Sequence, residues 1–512
     1  MTVRSTLRRA LVAAGALTVA LGLAAPTAVA DPTAFEEPTS TNSSATPTPV
    51  PLPDPDAKVN LHIVKHESPA TSLPADGMAQ DGIANPVIEG VEFTIRRHPT
   101  IELDTRTGWD DAQRQSVADF PWSEGLHPDA RITDANGQVS FLDLPMGLWM
   151  VQETKTPPGV VPAAPFLVTL PMTDPITRED WMYDVFVYPK NAMVTVGKTV
   201  SDGHTVNDQI EWTIRADIPQ LPDEKIDLFR IVDAIDPRLM VRAQEYQGQA
   251  VRVMLEQGDS ASTIAPELFD LDHTDKAPGD RGGTLAIEFN AAGREFLDAA
   301  PAGSRVVVHI KTVVVEMGNG EFRNFASFYP DTKSQFNSSP AESNTAESRY
   351  GGIRFLKADN LDRDKVLEGA VFQVYTSREA ALAGGEDYLR IGINDTWRSD
   401  ENGLVTISGL RLSNWANGQQ VAPGDEGWTS YWLVEVGAPE GYELLAEPIE
   451  FPVLTPGEPT IVAFTVENIP HNAGFRLPMT GGAGTTALTV GGLALAGAAL
   501  AVKVAHSRRQ AA

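Results

Sequence analysis

This chain changes character every few residues. Short runs rich in Val, Ile and Phe recur along it, among them Val59–Val64, Val91–Ile95, Val185–Tyr188, Val194–Val200, Val306–Val315, Val371–Tyr375 and Ile461–Val466. Gly, Pro, Asn and Asp separate them, as in the segments Asp134 to Gln138 and Asp400 to Leu404. Alternating runs of that length, bounded by turn residues, suit half-buried strands. Helical periodicity is scarce, and only Ser377–Ala383 is expected to form a short helix. The pattern predicts an all-β protein built from sandwiches. A length of 512 residues suits about three domains.

The two ends lie outside that pattern. Arg4, Arg8 and Arg9 precede an apolar run from Leu11 to Leu23, and Ala28, Val29 and Ala30 form a small-x-small site before Asp31. Residues 1–30 therefore read as a signal peptide for secretion. Residues 31–57 are rich in Pro, Ser and Thr and form an extended linker that cannot build a core. At the other end, Leu477, Pro478, Met479, Thr480 and Gly481 stand before 21 uncharged residues, 482–502, and a tail with Lys503, Arg508 and Arg509. About 20 apolar residues span a bilayer, and a basic tail stays on the cytoplasmic side. The Gly- and Ala-rich stretch reads as a transient membrane span.

Charge and composition exclude several functions. The net charge is −28; the two ends hold six basic and no acidic residues, so segment 31–480 carries −34. Such a surface does not favour nucleic acid as a partner. With no cysteine there are no disulfides, Cys-based metal sites or thiol catalysis. No nucleotide-binding, zinc-protease or serine-hydrolase motif occurs, so neither an enzyme nor a cofactor is expected. No metal site is expected either: the Asp-rich stretches Asp359–Asp364 and Asp270–Asp272 lack the spacing of an EF-hand and read as exposed loops.

An internal repeat organises the rest. Asp134 to Gly159 and Asp400 to Gly441 each contain a D-x-N-G turn, an apolar strand, a turn, a strand ending in Glu and a Pro-Gly loop. Two similar sandwiches thus flank a different middle module, with boundaries near 58–191, 192–350 and 351–472.

Each of these domains opens with a strand that aims a lysine at its own core. Side chains alternate between faces along a strand. Lys65 falls on the face of Val59, Leu61 and Ile63; Lys198 on that of Val194, Val196 and Val200; Lys357 on that of Ile353 and Phe355. A lysine at a frayed strand end can snorkel out, but three such positions, each at a domain start, favour burial. A buried ammonium costs several kcal/mol unless paired or neutralised. Partners fall on matching faces. Asn468 lies with Phe464 and Val466, Asn191 with Val185 and Val187, and Asn324 with Phe322, Ala326 and Phe328. Glu435, Glu153 and Asp233 have similar settings. A desolvated, neutral Lys can attack an Asn carbonyl while a buried acid moves the proton, leaving an amide and releasing ammonia. Asn344 is a rival acceptor in the middle domain. The reaction is a single-turnover self-modification.

Two motifs carry a family resemblance. Tyr431 to Tyr442, Y-W-L-V-E-V-G-A-P-E-G-Y, resembles the E-box of the shaft (major) pilins of sortase-assembled Gram-positive pili of the Corynebacterium and Actinomyces type, with Val436 in place of a Thr. Trp181 to Asn191, W-M-Y-D-V-F-V-Y-P-K-N, resembles their pilin motif, and Leu477–Gly481 with its apolar run and basic tail resembles their LPxTG sorting signal. The resemblance implies three immunoglobulin-like sandwiches, CnaB-like, CnaA-like and CnaB-like, with residues 473–512 as the sorting signal. It implies internal isopeptide bonds Lys357–Asn468 with Glu435 and Lys198–Asn324 with Asp233. Lys65–Asn191 with Glu153 is the first-domain counterpart, although the E-box there departs at both aromatics and the Ala. Lys190, with opposite parity to the core lysines, would be an accessible acceptor at a domain edge for Thr480 of the next subunit. The implied partners are pilus-specific and housekeeping sortases, neighbouring subunits, peptidoglycan, a tip adhesin and host receptors. The alternative is a wall-anchored or pilus-tip adhesin, which needs no acceptor lysine.

Overall fold

The computed structural model describes residues 52–69, 75–221, 224–242, 250–274 and 281–471. The proposed signal peptide, most of the linker, the sorting motif Leu477–Gly481, the apolar run and the basic tail lie outside the described residues.

Strand Lys58–Val64 buries Val59, Leu61 and Ile63 and leaves the alternate positions partly exposed. It pairs parallel with Asp184–Val187 and antiparallel with Gln138–Pro145. A second sheet runs in the order Leu126–Ile132, Glu92–Arg97, Gly147–Lys155, Phe166–Leu170. One apolar cluster, including Phe93, Phe141 and Trp149, joins the inner faces, as in other sandwiches. A larger cluster around Trp212, Phe229, Phe289 and Phe328 fills the middle region, where ten strands form one hydrogen-bonded network. The third cluster, around Phe355, Phe372 and Tyr431, lies between the sheet of Leu404–Arg411 and that of Val371–Tyr375 with Tyr431–Gly437.

The region boundaries are made of strands. Ala346–Asp359 is one 14-residue strand. Its first part pairs with Glu321–Asn324 and its second with Leu404–Arg411 and Val462–Asn468. It therefore runs through the boundary expected at 350/351. Gly351 and Gly352 make this possible: a Cβ would stand 2.1 Å from the Thr455 carbonyl at the first and 2.3 Å from the Ile407 carbonyl at the second. The same occurs near 191/192, where Lys190–Met193 pairs with His66–Glu67 on one side and Val160–Val161 on the other.

Helix Arg378–Ala383 follows the expectation, with Ser377 as N-cap accepting from the Ala380 amide at 3.1 Å. Helices Arg106–Arg114 and Ala291–Asp298 were not legible. In the first, only Trp109 and Ala112 pack against Ile101, Leu103, Met146 and Leu148, too few apolar positions to show a period. Among the described residues no helix is long and apolar enough to cross a membrane. The reading of the Asp-rich stretches as exposed loops holds for Asp362 and Asp364, which are exposed and outside any strand, and needs correction elsewhere. Asp359 is buried and accepts a hydrogen bond from the Tyr442 hydroxyl at 2.8 Å, while Asp270 and Asp272 stand on strand Phe269–Thr274.

Candidate functional site: three buried Lys–Asn–carboxylate sets

The alternation that placed three lysines toward cores holds in the structure. Lys65, Lys198 and Lys357 are buried, as are Asn191, Asn324, Asn468, Glu153, Asp233 and Glu435; none exceeds 5 % exposure. In the first domain the Lys65 ammonium donates to Glu153 Oε1 at 2.6 Å and to Asn191 Oδ1 at 2.5 Å. Asn191 Nδ2 donates to Glu153 Oε2 at 2.7 Å. The three side chains close a triangle. The third domain repeats it. Lys357 donates to Asn468 Oδ1, lies 3.4 Å from Glu435 Oε1, and Asn468 Nδ2 donates to both Glu435 oxygens at 2.8 and 2.9 Å.

The middle set is looser. Lys198 donates to Asp233 Oδ2. Asn324 lies close enough to help lower the Asp233 pKa, yet neither of its amide atoms makes a well-formed hydrogen bond, and Asp233 Oδ1 is also unpaired. Asn344 binds elsewhere on the same residue. Its Oδ1 accepts from the Lys198 backbone N–H at 3.0 Å and its Nδ2 donates to the Lys198 carbonyl at 2.8 Å. It grips the main chain of the lysine.

Burial decides the electrostatics. Desolvation pulls Lys65 and Lys198 down from the ordinary lysine value, against the opposing pull of Glu153 and Asp233. Lys357 is lowered by burial to about 8, with Glu435 opposing. At pH 7 about a tenth of such an amine is neutral, against well under a thousandth for an ordinary lysine. Burial pushes Asp233 up, against the effect of Lys198. A neutral amine beside a protonated acid and an amide carbonyl can carry out acyl transfer.

Several parts of the machinery escaped sequence reasoning. Each lysine lies over an aromatic ring, with Lys65 5.9 Å from the Phe93 centroid, Lys198 5.6 Å from Trp212 and Lys357 5.8 Å from Phe372. A signal existed: Glu89 to Phe93 and Glu368 to Phe372 share E-G-x-x-F. A backbone N–H ten residues after each Glu also holds its Oε2, Ala163 to Glu153 at 3.2 Å and Leu445 to Glu435 at 2.9 Å. The repeated D-x-N-G turn has a purpose as well. The carbonyls of Gly137 and Gly403 accept from the backbone N–H of Lys65 and Lys357, both at 2.7 Å.

The parity that placed Asn191 with Val185 and Val187 takes the strand as unbroken, and the structure breaks it. Pro189 has no N–H to give a ladder, and the chain forms two strands, Asp184–Val187 and Lys190–Met193. Asn191 is still buried. Lys190 is half-buried, more covered than an edge lysine is expected to be; it pairs with His66 on one flank only, and its Nζ donates to the Tyr188 carbonyl at 3.2 Å. Among the described residues it has no ion pair, and burial lowers its pKa. The upstream Trp181 packs on Trp109 of helix Arg106–Arg114 at 4.9 Å between centroids.

Comparison with known proteins gives the family of the chain. Residues 56–192 match the Gram-positive pilin subunit D1 N-terminal domain, residues 351–468 a prealbumin-like fold domain, and residues 469–510 the LPXTG cell wall anchor motif. The chain is 31% identical to fimbrial subunit type 1 of Actinomyces viscosus, over 99% of its own length and 98% of that protein's. The chain belongs to the Gram-positive fimbrial subunit, or pilin, family. Fimbrial subunit type 2 of Actinomyces naeslundii is 28% identical over 95% of this chain and 94% of that one. The full-length major pilin SpaD of Corynebacterium diphtheriae superposes with a TM-score of 0.61 at 25% identity, covering 82% of this chain and 98% of that one. This pilin is a structural shaft subunit of a surface pilus anchored to the cell wall.

Proposed function

We propose that the shaft is covalent both within and between subunits. Within each subunit, Lys65 joins Asn191, Lys198 joins Asn324 and Lys357 joins Asn468, with Glu153, Asp233 and Glu435 as proton carriers. In each reaction the lysine Nζ attacks the Asn side-chain carbonyl carbon. The acid returns a proton to the departing nitrogen, ammonia leaves and a C–N bond remains. Between subunits, a pilus-specific sortase cleaves the Thr480–Gly481 bond, and Lys190 of the next subunit takes the Thr480 carbonyl from the enzyme's thioester. A housekeeping sortase joins the last subunit to peptidoglycan, and a tip adhesin would meet host receptors. The observation that carries the internal bonds is the closed Lys–Asn–Glu triangle, found in a buried setting at both ends of the molecule. The acceptor role rests on the half-buried Lys190, whose amine lacks an ion pair among the described residues. The alternative of a tip or singly anchored adhesin leaves the Trp181–Asn191 motif without a use.

Intact mass tests the internal bonds. The mature chain is expected to weigh three ammonia molecules less than its sequence, and Asn324→Ala to restore one of them. Asn344→Ala is expected to keep all three losses, because its amide holds backbone and not the lysine amine. A restored ammonia in Asn344→Ala alone would reverse the assignment.

The pH dependence of the intersubunit step follows from Lys190. A pKa lowered by burial means a larger neutral fraction at any given pH. Attack on a preformed sortase thioester should therefore rise with pH along a limb centred below that of a fully exposed lysine. A limb at the ordinary lysine value would contradict the role given to burial.

A further inference from the structure

A cleft of about 350 Å³ opens between the Val161–Pro165 segment of the first domain and the middle domain, at the low end of the volumes that hold small ligands. Val161, Pro162, Leu221 and Pro330 give it an apolar wall. Three carboxylates also line it. Glu224 Oε1 accepts from the Ala164 N–H at 2.6 Å, and Asp227 accepts from the Thr332 N–H at 3.1 Å and from its hydroxyl. Asp331 differs. It is 5 % exposed, its Oδ1 caps helix Thr332–Phe336, and its Oδ2 has no hydrogen-bond partner among the described residues. Lys225 and Lys333 line the same cleft, and among the described residues neither forms an ion pair with these acids. Burial, with Asp227 nearby, pushes the Asp331 carboxyl up. An unpaired buried carboxylate is costly and is relieved by a charged donor.

The cleft adjoins the acceptor. Val161 pairs with Ala192, two residues along the strand from Lys190, or about 7 Å. The segment that must reach Lys190 during assembly is the neighbour's C-terminal stretch. Its sequence before the cleavage point is Phe475, Arg476, Leu477, Pro478, Met479, Thr480. Arg476 is the only charged residue between His471 and Lys503. Thr480 lies four positions further on, a span of at most about 14 Å when extended.

Resting on the Lys190–Thr480 reading above, we propose that this cleft docks the sorting segment of the neighbouring subunit, with the Arg476 guanidinium paired to Asp331 and Phe475 and Leu477 against the apolar wall. The pairing supplies the missing donor to Asp331 and holds the Thr480 carbonyl in range of the Lys190 amine. Asp331 is then a positioning residue, acting through the sorting segment and not on the reacting atoms.

The test has a cellular arm and a binding arm. In cells producing the full chain, Arg476→Gln and Asp331→Asn should each lower the yield of Lys190–Thr480 cross-links about tenfold, the worth of one charge-assisted pair. The double variant should be no worse than either single one. In the binding arm, a synthetic peptide of residues 472–480 is titrated into the wild-type mature protein without sortase. The Arg476→Gln peptide should bind about tenfold more weakly, which keeps the test valid if Asp331→Asn does not fold. Equal binding of both peptides, or losses that multiply in the double variant, would overturn the pairing. So would calcium binding to the wild-type protein that Asp331→Asn abolishes, since the carboxylate would then hold a metal. Failure of the underlying link is distinguishable: Lys190→Arg would still polymerise, while the peptide arm is unaffected.

Discussion

Lys190→Ala is expected to abolish SDS-resistant polymers and to leave single subunits covalently attached to the wall. Acceptor and donor are separate parts of the chain. The cleavage site Thr480–Gly481, the apolar run and the basic tail are intact in this variant, so sortase processing and anchoring should continue. Polymer growth needs the amine itself. Lys190→Arg should fail as completely, because a guanidinium keeps its proton at any working pH and is no nucleophile. Neither change should unfold the protein: the Lys190 side chain makes one hydrogen bond, to the Tyr188 carbonyl, and is only half-buried. Ladders that persist in both variants, with fractionated walls compared by immunoblot, would remove Lys190 from its role.

Lys357→Met is expected to produce a large loss of stability. It removes the amine with little change in side-chain volume and leaves Asn468 hydrogen-bonded to Glu435. The bond it prevents would close a loop of 111 residues. Cross-linking a loop of that length removes unfolded-state entropy worth about 5 kcal/mol. For a domain of this size that corresponds to roughly 15–25 °C in Tm. Glu435→Gln probes the chemistry separately. It keeps shape and hydrogen-bonding capacity but cannot shuttle the proton, so ammonia should be retained and Tm should fall by a similar amount. A Glu435→Gln protein that still loses the ammonia would show that Glu435 is dispensable. An unchanged Tm in Lys357→Met, by calorimetry, would show that no cross-link had been stabilising the domain.

The sequence carried much of this site because period-two alternation is a strong constraint. Once Val59, Leu61 and Ile63 must face a core, Lys65 must follow them, and its burial follows from the strand alone. Asn468 and Glu435 were legible for the same reason. Asn191 was reached by the same argument although Pro189 splits its strand, so its face had to be set by pairing with His66–Glu67 and Val160–Val161. The contest between Asn324 and Asn344 could not be settled from spacing, because Asn324 comes beside Asp233 and Asn344 beside Lys198 only after the middle sheet has folded. Helix Arg106–Arg114 shows too little apolar periodicity, and its use, packing Trp109 on Trp181, is tertiary. The shared strand Ala346–Asp359 crosses the boundary expected at 350/351, where Gly351 and Gly352 serve close backbone approach, a tertiary use that spacing does not show. The backbone donors from Ala163 and Leu445 leave no side-chain signature at all.

The absence of cysteine in an exported chain of 512 residues fits this chemistry. Amide cross-links form without an oxidant and resist reduction, so each sandwich can be closed covalently in its own core. The shared strand at one domain boundary and the paired strands at the other would pass tension between sandwiches through backbone hydrogen bonds.

Peptide mapping of native filaments by mass spectrometry tests the central claim most directly. The expected result is a branched peptide joining Lys190 to a chain ending at Thr480, together with Lys65–Asn191, Lys198–Asn324 and Lys357–Asn468 peptides that each lack one ammonia. Filaments whose Lys190 peptide is recovered unmodified, or whose core lysines and asparagines are recovered as free side chains, would contradict it.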